Sequence, residues 1–247
     1  MGQRYILAAM ASVVMWGALA LLTVRVLRLP SFFILAVAFS ISALLGLPRI
    51  KRWIVPLHIL LLGVYGIFGF HVLYVTALAT APPVEANLIV EAWPLLIVLF
   101  TPLLVGETLR LHHIVGAGIA FIGAALIVSG GHVSFGAANP LVYLPAVAAA
   151  IIWATYSLLT KKARGFSSAA IGGFCAVAAV LSLVLHLALE QTVQPTTAEW
   201  TALVLLGLGP LGSAFYSWDY ALKHGDPRII GALSYLIPLI ATLLLVT

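Results

Sequence analysis

The chain has 247 residues, of which 63% are hydrophobic and only 8% are charged. Because a soluble domain carries about 25% charged residues, this composition excludes an ordinary water-soluble protein and indicates one that crosses the membrane several times. The net charge of +5 does not point to a nucleic-acid partner, since the basic residues stand in short clusters between apolar runs, as membrane topology requires.

Prolines, glycines and charged clusters divide the chain into nine apolar segments, each long enough to cross the hydrocarbon core as a helix. The first segment is expected to be a membrane helix rather than a cleaved signal peptide, because its apolar run continues to Val24. The sequence therefore predicts an all-α membrane protein. The predicted helices cover residues 5–24, 31–47, 54–79, 82–105, 112–130, 140–160, 168–189, 200–222 and 228–247.

Lysine and arginine residues are divided unequally between the two ends of these helices. Only Arg25 and Arg28 fall on one side of the membrane, whereas the other ten of the twelve fall on the side of the N-terminus. Since basic residues accumulate on the cytoplasmic side, the bias predicts a cytoplasmic N-terminus. The ten are Arg4, Arg49, Lys51, Arg52, Arg110, Lys161, Lys162, Arg164, Lys223 and Arg228.

The chain also repeats itself after a shift of 144 residues, and the shift aligns prolines as well as apolar residues. Pro83 falls on Pro227, and Pro94 falls on Pro238. Matched prolines are harder to dismiss than matched leucines in so apolar a chain. The pattern indicates an internal duplication.

The first repeat, residues 1–130, holds five predicted helices, so the second repeat, residues 140–247, starts from the opposite side of the membrane. Residues 131–139 are then an outside linker. Inverted repeats are typical of secondary transporters, whose sites lie near the bilayer midplane. The expected architecture is a ten-helix, five-plus-five transporter bundle, with nine helices in this chain and the last helix of the second repeat lacking.

The fourth segment carries a carboxylate, Glu91, near the expected depth of the membrane centre. An ionised group there costs about 2.5–3.5 kcal/mol, so it should face protein or water. Asn87 and Pro94 share its helix face. This face is interpreted as a ligand for a substrate amine or a proton carrier, and a neutral, hydrogen-bonded carboxyl is the alternative. His71 is a second candidate proton carrier, with a hydrogen-bonded structural histidine as the alternative.

Aromatic residues recur on the helices that the repeat makes central. Trp93, Trp153 and Tyr235 lie too deep for the aromatic belts at membrane interfaces, so they are candidates to stack on a planar or apolar substrate. Tyr74, Tyr156, Tyr216 and Trp218 belong to the same set. Packing alone is the alternative for each of them.

Catalytic motifs are missing from the sequence, which has no HExxH, GxSxG or P-loop pattern and no paired-cysteine metal site. No cofactor or metal ion is therefore expected. A membrane-embedded enzyme using Glu91 and His71 stays open as a rival, but it lacks a third convergent group. A purely structural membrane protein would need neither the buried acid nor the inverted halves.

The chain resembles the EamA-type carriers of the drug/metabolite transporter superfamily in three features: a tryptophan in the first and in the sixth helix, the Gly106-Glu107 turn before the fifth helix, and two inverted halves. The runs at 91–100, 151–166 and 221–238 further resemble the YddG-type aromatic amino acid exporters of bacterial inner membranes. This resemblance implies a central cavity walled by the third, fourth, eighth and ninth helices, with help from the first and sixth. It places in that wall Trp93, Pro94, Trp153, Tyr156, Ser234, Tyr235 and Pro238.

These features together predict an inner-membrane exporter of aromatic and other apolar amino acids that works by alternating access. Its partners are the small-molecule substrate and membrane lipid. Glu91 and Asn87 are expected to bind the substrate ammonium, and the rings of Trp93, Trp153 and Tyr235 to bind the substrate side chain. A carrier of other small metabolites or drugs is the alternative.

Overall fold

The computed structural model describes residues 2–132, 136, 139–163 and 165–246, and every regular element in this part of the chain is helical. Nine helices within these residues are long and apolar enough to cross a membrane. We number them in chain order: α1 (Gly2–Val24), α2 (Ser31–Gly46), α3 (Leu57–Thr80), α4 (Pro83–Leu104), α5 (Leu111–Ser129), α6 (Leu144–Lys162), α7 (Ile171–Leu189), α8 (Thr197–His224) and α9 (Pro227–Leu245).

The nine predicted membrane helices are confirmed, with ends that differ by a few residues. α8, for example, begins at Thr197 rather than at residue 200. Thr196 and Glu199 form a capping box there, in which each side chain accepts a hydrogen bond from the backbone N–H of the other residue. Most of the predicted linker 131–139, together with Arg164, lies outside the described residues.

Four of the helices are interrupted near their middle. A π-helical turn occupies Tyr65–Gly69 in α3 and Gly209–Ser213 in α8. α4 consists of Pro83–Val90 and Trp93–Leu104. α9 likewise consists of Pro227–Leu233 and a second stretch that begins at Leu236.

These interruptions recur at the spacing of the sequence repeat. The two π-helical turns start 144 residues apart, and so do the first residues of α4 and α9. Pro94 and Pro238 follow the breaks in α4 and α9. Each proline lacks the N–H that would bond to the carbonyl four residues earlier, which explains why both helices break before it.

The helices pack in matching pairs. α2 and α7 form the most extensive helix–helix contact, α1 packs against the second halves of α8 and α9, and α6 packs against the second halves of α3 and α4. Small residues permit the close approaches. A Cβ atom on Gly66 of α3 would lie 2.1 Å from the ring of Tyr156 on α6. α5 is the least buried of the nine helices and makes its main contacts with α4 and α9.

The described basic residues gather at one end of the bundle, which we call the basic face, apart from Arg25 and Arg28. Glu107 in the α4–α5 connection pairs there with Lys161 at 3.8 Å and with Arg228 at 3.4 Å. The Lys161 ammonium also donates to the Gly225 carbonyl at 2.6 Å. These bonds join the ends of α4, α6 and α8 to the start of α9.

The opposite end, which we call the acidic face, is held by carboxylates. Glu199 pairs with Arg28 at 2.7 Å. Glu190, at the end of α7, accepts hydrogen bonds from the first backbone N–H groups of α2, at Phe32 and Phe33, where the helix dipole favours an anion. Glu85 accepts hydrogen bonds from the Tyr143 hydroxyl and from a backbone N–H of the α5–α6 connection. This end of the bundle is therefore tied across α2, α4, α7 and α8.

Candidate functional site

Four tryptophans from four different helices meet in the interior of the bundle. Trp16 of α1 lies 6.1 Å from Trp93 of α4, 5.7 Å from Trp153 of α6 and 5.1 Å from Trp218 of α8, measured between ring centroids. Trp93 also contacts Trp153 and Trp218 edge to face. Trp93, Trp153 and Trp218 are buried, and Trp16 is half-buried. We call these four residues the tryptophan cluster.

Interrupted helices and polar partners position these indoles. The Trp16 indole N–H donates to the carbonyl of Pro210, which lies in the π-helical turn of α8, at 3.1 Å. The Trp218 indole N–H donates to the Ser157 hydroxyl at 3.1 Å. Trp93 is the first residue of the second half of α4, directly after the break. Each of the two N–H groups thus has the partner that a buried indole requires.

Other rings extend the tryptophan cluster toward α2 and α3. Phe215 lies between Trp153 and Phe39, and Tyr156 contacts Trp153 at 5.5 Å. His71 of α3 packs among these rings, and its Nδ1 hydrogen-bonds to the backbone carbonyl of its own helix at Ile67, at 2.6 Å. The histidine therefore has a structural partner, and its proposed role in proton transfer is untested.

A polar group lies beside the break in α4. The Tyr74 hydroxyl donates to the Asn87 side-chain oxygen at 2.7 Å. The Glu91 Oε2 atom is buried and has no hydrogen-bond partner among the described residues. The Tyr235 hydroxyl is also buried; it lies beside the Leu95 backbone N–H without meeting hydrogen-bond geometry. The Glu91 backbone N–H donates to the Asn87 carbonyl at 2.8 Å, so Glu91 lies one turn from the Tyr74–Asn87 hydrogen bond.

The predicted site residues thus fall into two adjoining groups. Trp93, Trp153 and Tyr156 belong to the aromatic group, while Tyr74, Asn87, Glu91 and Tyr235 belong to the polar one. Stacking of Tyr74 on Phe70, whose ring lies 5.1 Å from Trp153, connects the two groups.

The other three predicted residues lie at the helix breaks. Pro94 and Pro238 are buried. The Ser234 hydroxyl donates to the Ile230 carbonyl of its own helix at 3.1 Å. Gly231 lies against the Pro94 carbonyl, so α4 and α9 cross at this point.

A cavity of about 1540 Å³ opens on the basic face, and we call it the vestibule. Residues of α1, α2, α6 and α8 and of the α6–α7 connection line it. Met15 of α1 and Ser217 of α8 line it at positions several turns from the basic-face ends of their helices. They are the chain neighbours of Trp16 and Trp218, so its inner end lies at the level of the tryptophan cluster, although none of the four indoles is among its described lining residues. None of the predicted site residues is among its described lining residues.

Sequence reasoning noted Trp218 among the central aromatic residues and a tryptophan in the first helix, but it named neither Trp218 nor Trp16 as a site residue, and it missed the vestibule. One signal for Trp16 was available, because a shift of 137 residues places it on Trp153. The vestibule lies between helices that are distant in sequence, and its inner lining includes small residues such as Ala8, Ala11 and Ser213. Such residues are equally typical of close helix packing.

Among the described residues, no group of three or more His, Cys, Asp and Glu side chains is arranged to hold a metal ion. The arrangement as a whole presents rings, one buried acid and a large cavity. These features suit reversible binding of a small amphipathic molecule.

Comparison with known proteins agrees with this geometry. A model of the EamA-like transporter family matches residues 3–129 and 140–247. The aromatic amino acid exporter YddG of Ancylobacter novellus is 39% identical, over 97% of this chain and 87% of that protein. YddG of Salmonella typhimurium is 29% identical, over 85% of this chain and 76% of that protein.

A probable terminal-alkyne amino-acid exporter of Streptantibioticus cattleyicolor is 28% identical, over 87% of this chain and 72% of that protein. A solved crystal structure superposes with a TM-score of 0.93 at 36% identity, covering 100% of this chain and 89% of that one. The family model covers nearly the whole chain, and the Ancylobacter relative shares more than a third of its residues. This chain is a multi-pass membrane protein that belongs to the EamA-like transporter family and is similar to YddG-type exporters.

Proposed function

We propose that this protein exports aromatic and other apolar amino acids across the bacterial inner membrane, through a chamber lined by the tryptophan cluster. The observation that carries the proposal is the meeting of four indoles at the inner end of a large vestibule. The relatives support the substrate class, since two are named aromatic amino acid exporters and a third is named a probable terminal-alkyne amino-acid exporter.

The tryptophan cluster suits an aromatic side chain because a substrate ring can replace the contacts that the indoles make with one another. The indoles meet mostly edge to face, at centroid distances between 5.1 and 6.4 Å. Each such contact contributes about 0.5–1.5 kcal/mol beyond the buried area. A substrate ring that enters between two indoles replaces one edge contact with two of its own, whereas a methyl side chain replaces none.

Alternating access is proposed on the basis of the two halves. We place the helices within a ten-helix plan of two inverted five-helix repeats, residues 1–130 and 140–247, joined by the linker 131–139. The paired interruptions and the two matched segments of the family model support this plan. With the basic face and the N-terminus in the cytoplasm, the vestibule opens inward while the carboxylate contacts close the outer end.

Glu91 is the proposed ligand for the substrate ammonium, with Asn87 beside it, and it is also the proposed proton carrier. Its buried, unpartnered oxygen supports this role, because a buried acceptor without a donor costs about 1–3 kcal/mol unless a ligand supplies one.

A Glu91→Gln variant tests this role. We expect it to lower the transport rate of phenylalanine and to flatten its pH dependence, measured in proteoliposomes. The Glu85→Gln variant is the control, since Glu85 bonds to the α5–α6 connection and α6; it should change thermal stability but not the pH profile. An unchanged rate and pH profile in Glu91→Gln would withdraw the proposed role of the acid.

Uptake into everted membrane vesicles, in which the cytoplasmic face is outside, tests the proposed function as a whole. We expect saturable uptake of phenylalanine, tyrosine and tryptophan, with weaker uptake of alanine and none of aspartate. Equal uptake of phenylalanine and alanine would contradict the aromatic chamber. Uptake restricted to cationic drugs or to other metabolites would favour the alternative carrier.

A further inference from the structure

The vestibule of this apolar protein is lined by cations. Arg49, Lys161, Lys162 and Lys223 all line it, and Glu107 is the one acidic residue among its described lining residues. Charged side chains make up only 8% of the chain. Their concentration around one cavity therefore gives that cavity a positive potential.

Two of these cations form hydrogen bonds or ion pairs with neighbouring residues. The Lys161 ammonium donates to the carbonyls of Leu222 and Gly225, where α8 ends. The Lys223 ammonium pairs with Asp219 at 2.7 Å and donates to the Phe166 carbonyl at 3.2 Å. Their charges are thus largely matched by carbonyls and acids.

The other two cations are unmatched. Arg49 and Lys162 take part in no hydrogen bond or ion pair with any residue that the structure describes. They come from different walls, since Arg49 follows the end of α2 and Lys162 ends α6. Arg49 also departs from its neighbours in conformation: its φ and ψ of −119° and 29° break the short helix that holds it.

The excess of basic residues on this face does not by itself explain why Arg49 and Lys162 line the vestibule. Lys51 and Arg52 lie on the same short segment as Arg49 and contribute equally to the bias, yet they do not line the vestibule. Topology requires basic residues somewhere on the face. It does not require them around the cavity.

We propose that the vestibule selects for the carboxylate of the amino acid, and that Arg49 and Lys162 attract it before the side chain reaches Trp16 and Trp218. The inference rests on the proposed function and adds a recognition step for the acidic group, at a place distinct from the rings and from Glu91. Ser213 and Ser217, at the inner end, offer hydroxyl groups along the path. An apolar molecule without a carboxylate would lack this attraction.

The test compares phenylalanine with phenylalaninamide, which keeps the ring and the amine but lacks the carboxylate. Uptake into everted vesicles is measured for the unaltered protein, for the double variant Arg49→Gln/Lys162→Gln, and for the control variant Lys51→Gln. We expect the double variant to raise the KM for phenylalanine about threefold, to leave the maximal rate unchanged, and not to raise the KM for the amide. The control should match the unaltered protein for both compounds, and added salt should reduce the difference.

An equal change for both compounds, or no change for either, would overturn this inference alone. Failure of the unaltered protein to transport phenylalanine would overturn the proposed function as well. Because the same cations would also attract lipid phosphate, the assay is repeated in proteoliposomes with and without anionic lipid. A difference that persists without anionic lipid supports the substrate carboxylate, and one that needs anionic lipid assigns Arg49 and Lys162 to lipid and overturns the inference.

Discussion

Trp16 connects the tryptophan cluster to the π-helical turn of α8. Its ring contacts the other three tryptophans, and its N–H binds the carbonyl that the π-helical turn of α8 presents. Movement of that turn therefore moves Trp16, and movement of Trp16 changes the space between Trp93 and Trp153. A side chain in this position couples helix geometry to the shape of the proposed chamber.

Replacing Trp93 by leucine tests whether the rings bind substrate. The substitution removes edge-to-face contacts with three other indoles, and we expect the KM for phenylalanine to rise about tenfold, equivalent to the loss of one or two ring contacts. The KM for leucine should change little. Trp200→Leu is the matched control, because Trp200 is 44% exposed and contacts none of the four tryptophans. Equal effects of the two substitutions would indicate that Trp93 only packs.

Some of the site could be predicted at this scale and some could not. Glu91 was recognisable because an acid in an apolar segment is costly wherever it contacts lipid, and the structure indeed buries one of its oxygens in protein. Trp93 and Trp153 were recognisable from their depth. Trp218 was recognised as one of the central aromatic residues but not as a site residue, because its contacts depend on three helices that converge only in the folded chain.

The start of α9 offers a test of stability at the scale of one element. The Asp226 side chain caps the helix by accepting from the Arg228 backbone N–H at 2.9 Å, and it pairs with the Arg228 guanidinium at 2.7 Å. Desolvation opposes ionisation of Asp226, but the hydrogen bonds from Arg228 outweigh it and hold the pKa of Asp226 below its ordinary value. The stability that the charge contributes is therefore present above the ordinary pKa and is lost as the pH falls through the lowered one.

An Asp226→Asn variant separates the charge from the cap, because asparagine caps about as well as aspartate. We expect a lower midpoint of thermal unfolding at neutral pH, and a difference from the unaltered protein that disappears in acid. Asp226→Ala should lose about 1 kcal/mol more at all pH values, since it also removes the cap. A difference between Asp226→Asn and the unaltered protein that is independent of pH would contradict the role of the charge.

Close packing of α3 on α6 depends on a single missing side chain. A Cβ on Gly66 would lie 2.1 Å from the Tyr156 ring, so Gly66→Ala should destabilise the protein by about 1–3 kcal/mol. It should also lower transport, since Tyr156 contacts Trp153. Gly116→Ala on α5 is the control, because no atom lies within 4 Å of the added Cβ. Thermal unfolding in detergent compares the stability of the two variants, and uptake into vesicles compares their transport. Equal stability of the two variants would be evidence against the tight α3–α6 contact.

The sequence predicted the elements better than their interior shape. Long apolar runs between prolines and charges were enough to place nine helices. Pro94 marks the irregular part of α4, because a proline removes one helix hydrogen bond. The π-helical turns were not predicted, because hydrophobic periodicity does not distinguish a single π turn from an α turn. They became visible only as a pair, at the same spacing as the repeated prolines.

At the scale of the whole molecule, the two ends of the bundle differ. The acidic face is tied by Glu85, Glu190 and Glu199, each bound to a different connection or helix start. The basic face holds the open vestibule, and Glu107 and Lys161 of the Glu107 network are among its lining residues. We interpret this arrangement as the state that receives substrate from the cytoplasm, which requires the acidic-face contacts to open in the alternate state.

The sequence predicts an orientation for this arrangement, but it does not predict which end of the bundle is open. The positions of lysine and arginine distinguish the two faces. Which face is open depends on small differences between two packings of similar energy, and composition does not record them.

The most direct test of the central claim is the accessibility of a thiol placed at the inner end of the vestibule, in a Ser213→Cys variant. The native Cys175 is fully buried, so the unaltered protein serves as the blank. In everted vesicles, we predict labelling of the variant by a membrane-impermeant maleimide and protection by phenylalanine but not by alanine. Absence of labelling from this face, or labelling that phenylalanine does not change, would contradict a substrate path from the vestibule to the tryptophan cluster.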